Sequence, residues 1–293
     1  MINKILILGG SGQLGTELVN SLSKKDFNIL FPSKSELDVT NYTKIKNYLI
    51  LNKPDLVINC AAYTNVSNCE IHKQESYSLN VKAPEYLSKL CAKADIYLFH
   101  FSTDYVFDGS KNSFAEKDIC NPINEYGKQK LEAENLVSFN AKKFFIFRIS
   151  WLYSIHRKNF FLTIIDKIKL NQDISVVNDQ YGTPTSCAFV AQNIIKFLFY
   201  LKKCPKSIES TIFHLVPNGS CSWYEFACKI RSNLGHVSTI NPISSDQYSG
   251  DLVNRPKRSI LNNSLFKEQF KFVFDDWEHY LLEQMEYLNK SNE

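Results

Sequence analysis

Lys4-Ile-Leu-Ile-Leu8, followed directly by Gly9-Gly-Ser-Gly-Gln-Leu-Gly15, decides the fold of this 293-residue chain. The first five residues read as a short apolar strand, and Thr16 to Lys25 carries Leu18, Val19 and Leu22 at helical spacing. Between them, Gly10, Gly12 and Gly15 satisfy G-x-G-x-x-G, and Gly9, Gly12 and Gly15 satisfy G-x-x-G-x-x-G. Glycines suit such a loop because the backbone must turn tightly, approach a pyrophosphate and let the helix pack on the sheet. The helix N-terminus then offers unpaired N–H groups and a positive dipole end to phosphate. A glycine motif alone also marks an ordinary turn; its place between a strand and a helix points to a dinucleotide.

The alternation continues outward. Apolar strands are expected at 4–8, 28–31, 55–60, 96–102, 143–149, 175–177 and 211–216, with helices near 13–25, 41–52, 74–94, 125–138, 159–170 and 188–202. Near-continuous apolar strands separated by helices imply α/β architecture: a Rossmann-type, doubly wound parallel sheet covered on both faces. At this length two closely joined lobes are expected, the second smaller than the first. Residues 1–152 and 188–217 are assigned to the NAD(P)-binding part, and 153–187 and 218–293 to the smaller one. After 217 the pattern is irregular, with helices near 222–234 and 275–289.

Composition excludes several classes. The formal net charge of +4 is mild, and the basic clusters Lys142-Lys143, Lys202-Lys203 and Arg255-Pro-Lys-Arg258 are scattered, so no nucleic-acid partner is expected. The chain runs straight into its first strand and has no apolar stretch of spanning length; neither a signal peptide nor a membrane partner is expected. Eight cysteines form no C-x-x-C and no zinc-like spacing with histidine, which reads as reduced thiols in a cytoplasmic protein, with no metal expected.

Tyr-x-x-x-Lys occurs twice, at Tyr42–Lys46 and Tyr126–Lys130. Residues four apart on a helix share a face. A free phenol titrates near pH ~10, and a nearby ammonium draws it toward the range where general acid catalysis is efficient. Tyr42 reads as part of a polar helix with solvated lysines. Tyr126 follows a strand ending in Ser102-Thr103-Asp104, where the Thr103 hydroxyl is suited to hold a carbonyl oxygen against the phenol. The second strand ends in Phe31-Pro-Ser-Lys-Ser-Glu36 without an acid directly at its end. An acid there would accept from an NAD ribose hydroxyl, and Lys34 reads either as a 2′-phosphate partner or as a solvated lysine. NADPH is expected as cofactor, with NADH possible.

The segments Gly9 to Gly15, Glu36-Leu-Asp-Val-Thr40, Asn59-Cys-Ala-Ala-Tyr-Thr64 and Leu79-Asn-Val-Lys-Ala-Pro84 occur in this order. They precede His100-Phe-Ser-Thr-Asp-Tyr-Val-Phe-Asp-Gly109, Tyr126 to Lys130, Arg148-Ile-Ser-Trp-Leu-Tyr153, Asn178-Asp-Gln-Tyr-Gly-Thr-Pro-Thr185 and Arg255-Pro. The set resembles the dTDP-4-dehydrorhamnose reductases, extended short-chain dehydrogenases/reductases, over nearly the whole chain. That resemblance implies a Rossmann domain with a smaller C-terminal α/β substrate domain, and reduction of the C4 ketone of a dTDP-linked 4-keto-6-deoxysugar with NAD(P)H in the cleft between them. It implies Tyr126 as the proton donor, Lys130 as its electrostatic partner and ribose ligand, and Thr103 as the carbonyl-orienting group. Gly9, Gly12, Gln13 and Leu14 would meet the pyrophosphate, Asp38 and Val39 the adenine end, and Ala61, Ala62 and Tyr63 the ribose and phosphates. Thr103, Asp104, Tyr105, Trp151 and Arg255 would meet the sugar nucleotide. For Trp151 the other reading is a plug at the domain junction, for Arg255 a surface role, for Asn80 a backbone clamp and for His100 a satisfied core residue.

Some relatives of that family form dimers through a metal held by carboxylates. Glu17 matches one such position, but Cys187-Ala-Phe-Val-Ala-Gln192 lacks the acids of the other; a monomer or an unbridged homodimer is expected. Among rivals, a sugar-nucleotide dehydratase would need a glutamate where Tyr105 stands. A 4-epimerase and a non-catalytic subunit resembling the regulatory subunit of methionine adenosyltransferase stay open.

Overall fold

The computed structural model describes residues 2–204, 208–248 and 253–290. Its first half runs β1 (Lys4–Leu8), α1 (Gln13–Leu22), β2 (Asn28–Leu30), α2 (Tyr42–Asn52) and β3 (Leu56–Asn59), then the short helices α3 (Val66–Ile71) and α4 (Lys73–Tyr77). A π-helical turn at Ser78–Lys82 leads into α5 (Ala83–Ala94), followed by β4 (Tyr97–Thr103), α6 (Glu125–Asn140) and β5 (Phe144–Ile149). The sheet order is β2-β1-β3-β4-β5 with Thr211–His214 at the far edge, and every neighbouring pair is parallel. The expected doubly wound α/β fold is therefore present.

The inner strands β1, β3, β4 and β5 are largely apolar on both faces because both faces are covered. Ile5, Ile7, Ile58, Phe99, Phe101 and Phe147 face a core shared with α1 and the long helix Cys187–Lys203. Leu6, Leu8, Val57, Leu98 and Ile146 face the other, filled by Ile45, Leu87 and Val137 from α2, α5 and α6. From β1 the chain goes outward to β2 and then crosses back to β3. Strand order reverses there, and a crevice opens at the carboxyl ends of β1 and β3, where such sheets bind ligands.

The second lobe has its own core of Phe161, Ile164, Ile168, Phe226 and Leu281. It is built on the helices Phe160–Lys169, Trp223–Asn233 and Trp277–Lys290 and three two-stranded ribbons. Two details differ from the sequence expectation. Ile174–Val177 does not join the main sheet but pairs in parallel with Ile240–Ile243, whose central Asn-Pro hides the strand signal. The unanticipated helix Ser264–Phe270 sends Phe266 and Phe270 into the core of the main sheet, against Phe197 and Phe213. Among the described residues no helix is long and apolar enough to cross a membrane.

Candidate active site

A cleft of about 610 Å³ opens at the carboxyl ends of β1, β3, β4 and β5 and is roofed by the second lobe. Its floor is the start of α1. Gly12 caps that helix without a side-chain hydrogen bond, and its first turn holds no acid. The first N–H groups and the positive dipole end are thus left for an external anion. The loop is also packed so tightly that only glycine fits: a Cβ on Gly15 would lie 2.1 Å from the Gly9 carbonyl oxygen. A narrow backbone turn ending in an uncapped helix suits a dinucleotide pyrophosphate. Gln13 and Leu14 line the cleft with Gly12. The Gln13 Oε1 atom accepts from Ser154 Oγ at 3.0 Å and Asn159 Nδ2 at 2.9 Å, tying the loop to the second lobe.

β4 and α6 deliver Thr103, Tyr126 and Lys130 to one wall. Asn124 starts α6 by accepting from Gly127 N at 2.8 Å, which sets Tyr126 in the first turn and Lys130 one turn on. Thr103 Oγ1 donates to Asp104 Oδ1 at 3.0 Å and accepts from Tyr105 N at 3.2 Å. The electrostatics correct one expectation. Burial, with the Asp104 charge second, raises the Tyr126 phenol above its ordinary value, opposed by the Thr103 hydroxyl; the Lys130 charge does not draw it down. The reason is where Lys130 is held: its ammonium donates to the Phe101 carbonyl at 2.6 Å and lies 3.4 Å from His100 Nε2. Burial also brings Lys130 down to about 8, against the opposing charge of Glu134. A raised phenol is a protonated one at neutral pH, ready to donate.

Asp104 is buried, and desolvation pushes it up to about 6 despite hydrogen bonds from Ser259, Thr103 and Ser150. Tyr105 meets Tyr126 edge to face at 6.1 Å, and Arg255 Nη1 donates to the Tyr105 hydroxyl at 3.0 Å. Trp151, at φ 45, stacks on Trp223 with centroids 3.6 Å apart and planes 7° apart. Its indole lies over Gly182, where a Cβ would approach to 2.4 Å; the glycine of Asn178-Asp-Gln-Tyr-Gly182 makes room for it. Arg255 lies in a neighbouring 380 Å³ pocket that shares Phe160 and Trp223 with the cleft.

Ala62 lines the cleft, Ala61 donates its N–H to Asn59 Oδ1 at 3.2 Å, and Tyr63 is clamped by Asn80 through both backbone groups at 2.7 and 3.1 Å. The π-helical turn carries Asn80 to that position. Asp38 and Val39 are not brought to the cleft: Asp38 bonds Thr40 in its own turn, and Val39 packs in the core beside α2. The hydrogen bonds from Thr40 hold the Asp38 carboxyl below its ordinary value, and the charge of exposed Lys34 adds a smaller contribution. Glu17 meets His156 Nε2 at 3.2 Å, and no group of three or more metal-ligating side chains occurs among the described residues. Sequence reading missed Trp223, Asn159 and Asn59. Asn59 stood within a quoted motif, while Trp223 and Asn159 gave no signal beyond helix starts.

A larger concavity, about 1050 Å³, lies at the amino ends of the same strands and is rimmed by Lys46, Lys53, Lys93, Lys143 and Lys202. None of the catalytic-type groups described above reaches it. Volume therefore does not identify the site; convergence of polar groups at the carboxyl ends does.

Residues 3–289 match the family model described as RmlD substrate binding domain. A dTDP-4-dehydrorhamnose reductase of Aggregatibacter actinomycetemcomitans is 32% identical over 286 residues, covering 95% of this chain and 97% of that protein. A dTDP-4-keto-6-deoxy-D-glucose reductase of Streptomyces niveus is 29% identical, covering 99% of each chain. The crystal structure of a dTDP-4-dehydrorhamnose reductase from Bacillus anthracis in complex with NADP superposes with a TM-score of 0.91 at 32% identity, covering 97% of this chain and 99% of that one.

Proposed function

The chain belongs to the RmlD substrate-binding-domain family, and from that premise we propose that it is an NAD(P)H-dependent dTDP-4-dehydrorhamnose reductase. It reduces the C4 ketone of dTDP-4-dehydro-β-L-rhamnose to give dTDP-β-L-rhamnose. The observation that carries the reading is the meeting of Thr103, Tyr126 and Lys130 with the uncapped glycine loop in one cleft.

When bound, reduced nicotinamide supplies the two electrons and one hydrogen of the carbonyl reduction. The protein's own part is proton delivery and orientation. Tyr126, kept protonated by burial, gives its proton to the C4 oxygen as charge develops there. Lys130, its side chain held at the Phe101 carbonyl, binds ribose hydroxyls, and Thr103 aligns the carbonyl. Gly9, Gly12, Gln13, Leu14, Ala61 and Ala62 hold the cofactor and Tyr63 borders its ribose; Asp38 and Val39, which do not line the 610 Å³ cleft, would meet only an adenine end that extends beyond it. Asp104, Tyr105, Trp151 and Arg255 hold the sugar nucleotide, Arg255 being suited to a diphosphate. In this division residues 1–152 and 188–217 serve the cofactor, and 153–187 and 218–293 the substrate. The relative crystallised with NADP supports NADPH, with NADH as second choice. We assign the protein to the cytoplasm as a monomer or homodimer; its eight free thiols suit a reducing compartment.

NADPH and NADH oxidation measured with dTDP- and UDP-linked 4-dehydro-rhamnose tests this. NADPH oxidation with the dTDP sugar is expected to be fastest. No oxidation with any of the four pairs would remove the reductase reading.

A further inference from the structure

Behind the cleft, three polar side chains buried to 2% exposure or less stand in a row: Asn59, His100 and Lys130. Asn59 Nδ2 lies 3.3 Å from His100 Nδ1, and His100 Nε2 lies 3.4 Å from Lys130 Nζ. The Asn59 oxygen accepts from Ala61 N at 3.2 Å, which turns the amide's NH2 toward the imidazole. A neutral imidazole has one donor and one acceptor. With an NH2 facing Nδ1, that nitrogen must accept, so the proton sits on Nε2 and points at Lys130. An ammonium has no lone pair to receive it; a neutral amine has one. The neutral amine satisfies the row, donating to Phe101 O and accepting from His100.

We propose that Asn59 and His100 are positioning residues that couple the protonation of Lys130 to the backbone of the loop 60–63. When Lys130 takes a proton from solvent, Nε2 must become the acceptor. The single imidazole proton then moves to Nδ1, and the Asn59 amide must turn its oxygen toward it, releasing Ala61 N–H. That N–H borders the glycine loop, since a Cβ on Gly9 would lie 2.7 Å from it. Lys130's proton and the loop beside the cofactor thus change together. The other charged or titratable groups around Lys130 are Tyr126 and Glu134 on its own helix, Arg148 from β5 paired to Glu134 at 2.7 Å, Asp104 beyond β4, and Cys60 after β3. Burial and the Lys130 charge keep His100 neutral, well below the ordinary imidazole value, so the row switches tautomer and not charge.

The idea deepens the reductase reading, because it concerns the lysine proposed to act there, but its test uses neither cofactor nor sugar. Nitrogen NMR of histidine-labelled protein distinguishes the two tautomers, His100 being identified by loss of its signals in His100→Gln. Across the titration of Lys130, near 8, the wild type is expected to pass from the Nδ1–H to the Nε2–H tautomer as pH rises. Lys130→Met is expected to hold Nε2–H throughout. Asn59→Asp, whose carboxylate only accepts, is expected to hold Nδ1–H throughout. A wild-type tautomer constant with pH, or one that neither substitution changes, would overturn the proposal. Failure of the sugar assay alone would leave it standing.

Discussion

The two ends of the central sheet carry concavities of opposite character, and each contains a lysine from a Tyr-x-x-x-Lys pair. Lys46 is exposed on the rim of the 1050 Å³ hollow at the amino ends, while its partner Tyr42 packs edge-on against Tyr86 at 5.4 Å. Lys130 is buried in the 610 Å³ cleft at the carboxyl ends, bonded to a backbone carbonyl and shifted down by desolvation. Identical spacing gives a solvated helix face in one place and a perturbed, convergent site in the other. What differs is the end of the strands: the carboxyl ends carry the strand-to-helix loops and the free N–H groups of α1.

The comparison can be broken most directly at the tyrosines. Tyr126→Phe is expected to lower kcat by ~100-fold or more, the scale of general acid catalysis, while Tyr42→Phe stays within about twofold of wild type; steady-state NADPH oxidation reads both. A smaller effect is expected in stability. Lys130 is depressed from 10.5 to about 8, so its ammonium form is disfavoured on folding; below pH 8 the cost is full, and it fades as pH rises from 8 toward 10.5. Lys130→Met should therefore melt higher at pH 7, by up to about 3 kcal/mol of stability, with the advantage shrinking in alkaline buffer. Thermal denaturation at pH 7 and pH 10 checks this, and an equal gain at both would refute the burial argument.

Gly15→Ala, which forces a Cβ to 2.1 Å from the Gly9 carbonyl oxygen, should cost about 1–3 kcal/mol of stability and weaken NADPH binding at least ~10-fold. Fluorescence titration and melting measure the two effects. The smallest change belongs to the other end. Lys46→Ala is expected to shift stability by no more than about 0.5 kcal/mol and to leave NADPH binding unchanged.

Much of this was legible in the sequence, because the deciding signals are local. The β1–α1 glycine loop and the apolar strands carry their reading in adjacent residues, and Thr103, Tyr126 and Lys130, singled out by spacing, strand end and the glycine loop upstream, line one cleft. What was not legible depends on contacts between distant segments. Ile240–Ile243 gains its strand character only from pairing with Ile174–Val177. The stack of Trp151 on Trp223 joins residues 72 apart through the space left at Gly182. The expected depression of the Tyr126 phenol was wrong for a similar reason: helical spacing brings Lys130 to the right face, but the Phe101 carbonyl on β4 decides where its ammonium points.

The central claim is that the carboxyl-end cleft reduces a sugar ketone and consumes its cofactor. The most direct test supplies dTDP-4-dehydro-β-L-rhamnose in limiting amount with excess NADPH and follows nicotinamide absorbance to its end point. The account predicts that NADPH oxidised equals sugar added, with dTDP-β-L-rhamnose as product. Conversion of the sugar with NADPH unchanged, or no conversion at all, would contradict it.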